Sequence, residues 1–302
     1  MRSLAKTTGA TISQFCSANN LRHNAVRLDG SEEAIGNSPP AILHFIDCDP
    51  ERVASSDVLL YFHGGGYVFP LQSAGHMIFA RRAAYTAHAN LVMLEYTLAP
   101  ELKYPGQLAQ ATSALRYLLK TRGPERIIIG GDSAGGNLNL GLLAHLQRPH
   151  PDIAPVSFRQ GGRLRAVLCI SPRCSNDCSA SSFEYNALND FIGPEQVEMF
   201  TSNWQPDYSH VWSTPVRGDK AFWGEATNKY AEKVLLAVGG HECYLDDVVR
   251  MAEMMGAEEG EGKKIQLAIC KGDMHCQCVL DAGARIENGN MTRAVIDWLK
   301  TV

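Results

Sequence analysis

The chain has 302 residues, 45% of them hydrophobic and 20% charged, enough apolar material to bury a large core in one continuous domain. Its 28 Lys plus Arg against 32 Asp plus Glu give a formal net charge of -4 without any basic cluster, which removes the electrostatic case for nucleic-acid binding. The first ten residues lack the apolar run of a secretory signal and no later stretch approaches a membrane span, so the expected location is the cytoplasm.

Residues 1–35 carry short apolar patches without clean periodicity. They are expected to lay a helix and a strand over the core and to end at Pro39-Pro40. Ala41 to Phe45 reads as an early strand, residues 47–56 as a polar turn, and Asp57 to Phe62 as a buried strand. That strand runs into His63-Gly64-Gly65-Gly66-Tyr67, where three glycines expose backbone N–H groups that no side chain shields. Such a loop suits stabilisation of an anion. A crossover helix over 73–88 and a strand over 90–96 follow, then a loop whose Pro100 and Pro105 exclude regular structure. Apolar positions at 108, 111, 115, 118 and 119 mark one face of a helix.

The stretch Ile127-Ile128-Ile129-Gly130-Gly131-Asp132-Ser133-Ala134-Gly135-Gly136-Asn137 turns from a β-branched run to a helical pattern within six residues. Gly131-x-Ser133-x-Gly135 at the turn has the context of a nucleophile elbow. The glycines remove Cβ atoms that would collide where strand and helix close, and the free N–H groups of the helix start favour negative charge beside the serine. Strands alternating with helical crossovers predict a mostly parallel sheet with helices on both faces and the elbow at its carboxyl end.

Ala166 to Ile170 is a further strand, ending in Ser171-Pro172. Residues 176–213 carry two tryptophans, two tyrosines and three phenylalanines, too many for a solvated loop, and are expected to form a small helical lid, with residues 1–35 as an additional contributor. The last strands are 234–240 and 265–270, a helix spans Leu245 to Met255, residues 258–262 form a solvated turn, and 291–300 close the chain as an amphipathic helix. Nine scattered cysteines read as reduced thiols. Cys174-x3-Cys178 and Cys276-x-Cys278, although His241 and His275 are near them in sequence, lack the spacing of a compact zinc module, and neither a metal nor a cofactor is expected.

A serine hydroxyl needs a histidine to accept its proton, and the histidine needs an acid to fix its tautomer. In chain order these must run Ser, acid, His, each from the end of its own strand. His275 meets that condition for Ser133; Glu242, immediately past a strand, is the acid, with Asp246 in reserve. Gly64, Gly65 and Ala134 are the expected oxyanion donors, supported by His63, Tyr67 and Asp132.

These segments, with Tyr96-Thr97-Leu98-Ala99-Pro100-Glu101 and Met274-His275, resemble the hormone-sensitive-lipase-like family of α/β-hydrolases, esterases with an HGGG oxyanion motif. The resemblance covers residues 57–300 and implies an α/β-hydrolase fold and a cofactor-free carboxylic-ester hydrolase built on Ser133, Glu242 and His275. Glu242 stands where the family usually has Asp, as in fungal members, and Gln277 replaces an aromatic residue common two positions after the histidine. The expected reaction is hydrolysis of a small or medium soluble ester in secondary metabolism, with short acyl groups favoured by a narrowing at Tyr67. Amides, lactones and thioesters share the same intermediates, and a binding protein without turnover is the alternative of another class. The partner expected is a small-molecule ester, with a homodimer left open.

Overall fold

The computed structural model describes residues 6–28, 39–48, 56–258 and 262–302. The expected turns at 47–56 and 258–262 therefore lie largely outside the described residues, as do the first five residues and 29–35 of the N-terminal segment. In chain order the elements are α1 (Thr8–Ala18), β1 (His23–Arg27), β2 (Ile42–Ile46), β3 (Val58–Phe62), a π-helical turn (Ser73–Met77) continuing into α2 (Ile78–Thr86), β4 (Asn90–Glu95), α3 (Gly106–Leu119), β5 (Ile127–Asp132) and α4 (Ala134–Gln147). There follow β6 (Ala166–Ile170), α5 (Ser182–Tyr185), α6 (Pro194–Trp204), α7 (Lys220–Tyr230), β7 (Val234–Gly239), α8 (Leu245–Met255), β8 (Ile265–Cys270), α9 (Gln277–Ala284) and α10 (Asn290–Leu299).

Among the described residues one eight-stranded sheet runs in the order β1-β2-β4-β3-β5-β6-β7-β8. Strands β1 and β2 pair antiparallel and β2 meets β4 antiparallel, whereas every pairing from β4 through β8 is parallel. The inner parallel strands, β3 to β7, are apolar runs because both their faces are covered, whereas β8 at the edge is covered only in part. Their side chains alternate between two cores: Leu60, Ile129, Val167 and Leu236 face α3, α4, α7 and α8, while Leu59, Ile128, Leu168 and Leu235 face α1, α2, α9 and α10. Helix α4 is buried on nearly every side, from Ala134 to Leu146, because α3 and α7 cover the face turned away from the sheet. The residue following β5 is thus anchored by a central strand before it and a fully packed helix after it.

Two helices were not read from the sequence. Helix α7 has little apolar periodicity beyond Trp223, although Asp219 caps it by accepting from the Phe222 N–H at 2.8 Å. Trp223 is fully buried, and its removal would cost about 3–5 kcal/mol, so one side chain supplies much of this helix's anchorage. Helix α9 is only 8 residues long and begins two residues after His275, where the sequence pattern is dominated by loop residues.

Residues 176–213 carry α5 and α6 and pack on the carboxyl end of the sheet. Trp204 of α6 stacks on Tyr67 with ring centroids 4.3 Å apart, and Phe191 lies edge-on to His275 at 5.6 Å. Ser182 and Tyr185 of α5 hydrogen-bond to the Asp246 carboxylate. The N-terminal segment reaches the same end: the Thr8 hydroxyl lies 3.5 Å from His63 Nε2 and accepts from the Leu71 N–H at 3.3 Å.

Candidate active site

Ser133 stands between β5 and α4 with φ 53 and ψ -114, a backbone conformation that costs an L-residue about 1–3 kcal/mol. The turn holds because the chain around it has no room for side chains. A Cβ on Gly131 would lie 2.7 Å from the Phe62 carbonyl oxygen, and one on Gly135 would collide with that same oxygen. Ser133 is 8% exposed, so its hydroxyl is presented at a nearly closed surface.

The neighbouring strands β5, β6, β7 and β8 each deliver one polar group to this point. The Ser133 Oγ lies 2.9 Å from His275 Nε2, and His275 Nδ1 lies 3.0 Å from Glu242 Oε2. Glu242 is fully buried, and its Oε1 accepts from the Gly239 N–H at 2.5 Å and the Ser171 hydroxyl at 2.6 Å. Ser171 in turn accepts from the Cys276 N–H at 3.0 Å, tying the Glu242 carboxylate to the residue after His275. Burial alone would lower the pKa of His275, but its hydrogen bond to Glu242 and that carboxylate's charge outweigh burial and raise it. Nδ1, facing the Glu242 carboxylate, carries the proton of the neutral ring, leaving Nε2 free to accept one from the serine.

The glycine loop lies across this group. Gly65 and Gly66 have φ of 108 and 62, open to glycine and unfavourable for other residues. A Cβ on Gly64 would strike the Asp132 carboxylate, and one on Gly66 would strike the Phe200 ring. Among the described residues neither the Gly64 nor the Gly65 N–H is taken up by a turn or loop carbonyl. Ala134 opens α4, where N–H groups have no intrahelical acceptor. His63 is fully buried, with Nδ1 2.6 Å from the Gly64 carbonyl and its ring stacked on Tyr96 at 4.5 Å. Burial first, and then the neighbouring His76, push its pKa down to about 4, so it donates to Gly64 as a neutral ring.

Asp132 lies beneath the loop, where it accepts from the Tyr61 hydroxyl at 2.8 Å and pairs with His76 Nε2 at 3.2 Å. Burial would raise its pKa, yet the charge and hydrogen bond of His76 lower it; for His76 burial would lower the pKa and Asp132 raises it. The pair is ionic, and it braces the loop from below. Tyr67 is also supporting, but it stands differently from the sequence expectation. Its ring is fully buried under Trp204 and its hydroxyl donates to Asn137 Oδ1 at 2.8 Å, so it props the loop and presents no open wall.

Asp246 points elsewhere, to Ser182 and Tyr185, and His241 has an exposed side chain; neither is part of the hydrogen-bonded group. Gln277 donates to Asp281 Oδ1 at 2.8 Å within α9. Residues that the sequence reading did not single out complete the surroundings. Asp190 accepts from the His275 N–H at 3.3 Å and the Cys243 N–H at 2.9 Å, and the Tyr244 ring stands edge-on to His275 at 5.2 Å. Phe191 is 50% exposed and Phe69, after the glycine loop, 49%, so apolar rings flank the approach. Ser171 could have been suspected as the polar residue ending the strand beside β5; Asp190 lies in a segment with no local signal.

Residues 59–279 match a family model described as alpha/beta hydrolase fold. The chain belongs to that family. Among relatives of this alpha/beta hydrolase, carboxylesterase NlhH of Mycobacterium tuberculosis is 32% identical over 210 residues, covering 66% of this chain and 60% of that protein. Steryl acetyl hydrolase 1 of Saccharomyces cerevisiae is 34% identical over 120 residues, 38% of this chain and 26% of that protein. The alignments thus span less than two thirds of these relatives' length. The fold superposes on carboxyl esterase 2 of the mycorrhizal fungus Tuber melanosporum with a TM-score of 0.72 at 18% identity, covering 93% of this chain and 86% of that one. An esterase from the bacterial hormone-sensitive lipase family gives 0.71 at 23% identity, covering 99% and 93%. Among the described residues no helix is long and apolar enough to cross a membrane.

Proposed function

We propose that this alpha/beta hydrolase is a serine carboxylic-ester hydrolase with Ser133 as nucleophile, His275 as general base and Glu242 as triad acid. The unbroken hydrogen-bonded line from Ser133 Oγ through His275 to Glu242 carries the reading. In this mechanism His275 Nε2 takes the serine proton as Oγ attacks the ester carbonyl, and Glu242 stabilises the imidazolium that forms. The N–H groups of Gly64, Gly65 and Ala134 receive the negative charge of the tetrahedral intermediate. His275 then returns the proton to the leaving alcohol, and a second cycle with water as nucleophile frees the acid and restores Ser133.

The whole chain acts as one domain in this proposal, with residues 176–213 as a lid. The contacts of Phe191 with His275 and of Trp204 with Tyr67 support that role. Location in the cytoplasm is supported by nine cysteines that are all free thiols, eight of them buried. Assembly as a homodimer is supported by β8, an edge strand on which Ile269 is 52% exposed.

Ser133→Ala should remove nearly all turnover of 4-nitrophenyl acetate and butyrate while the protein stays folded, and a fluorophosphonate should label Ser133 of the parent. A variant retaining most of the parent kcat would overturn the assignment. Sedimentation velocity of the parent and Ile269→Lys tests the dimer separately: a parent monomer refutes it.

A further inference from the structure

Arg173 has no task in the reaction above. It follows the strand end that supplies Ser171, is 1% exposed, and donates its backbone N–H to the Ser133 carbonyl at 3.3 Å. Its guanidinium carbon lies 4.8 Å from the Trp204 ring and 5.7 Å from that of Tyr67. Among the described residues none accepts a hydrogen bond from its Nε or from either terminal nitrogen. A guanidinium does not lose its proton at any pH a folded protein tolerates, so this charge cannot escape burial by neutralising itself. Aromatic faces offset part of its lost hydration, but they offer no acceptor to five N–H groups.

The side chain is nevertheless held in a defined place. Tyr67 is tied through its hydroxyl to Asn137, and Asn137 also donates to the Arg173 carbonyl at 2.7 Å. Trp204 is fixed by donating its Nε1–H to Gln107 at 3.0 Å. The positive charge also acts on Tyr244, the ring packed on His275, where it partly offsets the burial that raises that pKa. A fixed, dehydrated guanidinium, on a residue whose backbone meets that of Ser133 and with all its side-chain donors unused by the protein, is preorganised for a planar acceptor brought in from outside.

We propose that Arg173 is an anion-recognition site within the substrate pocket, and that the natural substrate is an ester bearing a carboxylate in the part that reaches Arg173. This rests on the ester-hydrolase reading and narrows its substrate class. Because α6 carries Trp204 over the guanidinium, α6 must shift for the carboxylate to enter.

Two substrate pairs test the assignment. 4-Nitrophenyl hemisuccinate against 4-nitrophenyl butyrate places the charge in the acyl group. The butyrate ester of 4-hydroxybenzoate against that of methyl 4-hydroxybenzoate places it in the alcohol. In the parent enzyme, kcat/KM for the charged member of one pair should exceed that of its neutral partner at least about tenfold. Arg173→Met should lower that charged-to-neutral ratio by about 10- to 100-fold, the range of charge-assisted hydrogen bonds, and Arg173→Lys by less. A parent with no preference in either pair, or a ratio unchanged in Arg173→Met, overturns the proposal. Should Arg173→Met fail to fold, the parent ratios and Arg173→Lys decide. Fluorophosphonate labelling keeps the two readings apart. Protein labelled at Ser133 that hydrolyses neutral esters without favouring charged ones lacks only the anion site, whereas unlabelled, inactive protein is no esterase.

Discussion

Replacing Glu242 by Gln keeps the side chain's size and removes its charge, and the surrounding donors dictate how the amide must sit. Oε1 accepts from two donors, Gly239 N–H at 2.5 Å and Ser171 Oγ–H at 2.6 Å. The amide oxygen has to stay there, since turning the NH2 group toward Gly239 would strand a buried N–H at a cost of about 1–3 kcal/mol. The NH2 group therefore faces His275 Nδ1 and donates to it. That reverses the tautomer: Nδ1 becomes an acceptor and Nε2 carries the proton, so it can no longer take one from Ser133. A triad acid changed in this way typically lowers kcat by about three to four orders of magnitude with KM little altered. The pH profile should move as well. Turnover needs neutral His275, whose pKa lies above the ordinary 6.5 because Glu242 outweighs burial. Parent activity is thus lost as pH falls through that raised value. In Glu242→Gln burial is opposed only by the weaker charges of Asp190 and Asp132, so the residual activity should persist to lower pH. Stopped-flow kcat and kcat/KM from pH 5 to 9, with Asp246→Asn as a control near parent activity, measure both effects. A Glu242→Gln enzyme with more than about a tenth of the parent kcat, or an acid limb that does not move, would refute the reasoning.

Ser171→Ala removes one donor to Glu242 and the acceptor of the Cys276 N–H, and is expected to lower kcat about tenfold and stability by about 1–3 kcal/mol; steady-state kinetics with urea unfolding would expose an unchanged kcat. His76→Leu leaves the Asp132 charge buried and unpaired, which should destabilise the fold by about 3–5 kcal/mol in urea titrations. The raised pKa of His76 contributes stability fully below its ordinary 6.5 and loses it as pH rises through the folded value, so the loss on substitution should be larger at pH 6 than at pH 9. Across 4-nitrophenyl esters from acetyl to palmitoyl, the nearly closed surface at Ser133 should give a maximum of kcat/KM at short chains, and an optimum at about twelve carbons or longer would contradict it.

The sheet and the sharp turn at Ser133 were legible because they impose local rules. A parallel strand buried on both faces must be an apolar run, and a strand that turns at once into a helix must have glycines where the two backbones meet, as Gly131 and Gly135 do against the Phe62 carbonyl. Glu242 and His275 were legible from their places after strands, since neighbouring parallel strands bring their ends together whatever lies between them in sequence. Ser171, directly after β6, was open to the same rule, whereas Asp190 and Arg173 obey no such rule. Each acts through a partner from another strand end or from the segment 176–213, and its polarity in the sequence is indistinguishable from that of a solvated loop. Tyr67 shows the converse limit: its position after the glycines was plain, but whether its ring faced substrate or core depended on Trp204, far along the chain.

The carboxylate of Asp190 joins two functions that a modular enzyme would keep apart. It belongs to the stretch that lies over the approach to Ser133, yet it grips the backbone N–H groups of His275 and of Cys243, the residue after Glu242. Insertions or exchanges in that stretch that alter which esters are accepted must therefore preserve Asp190 or replace its grip. Otherwise selectivity drifts only at the expense of turnover. Laboratory evolution toward new esters should accordingly find its freest substitutions at exposed Leu188 and Phe191, on either side of a position that tolerates little change.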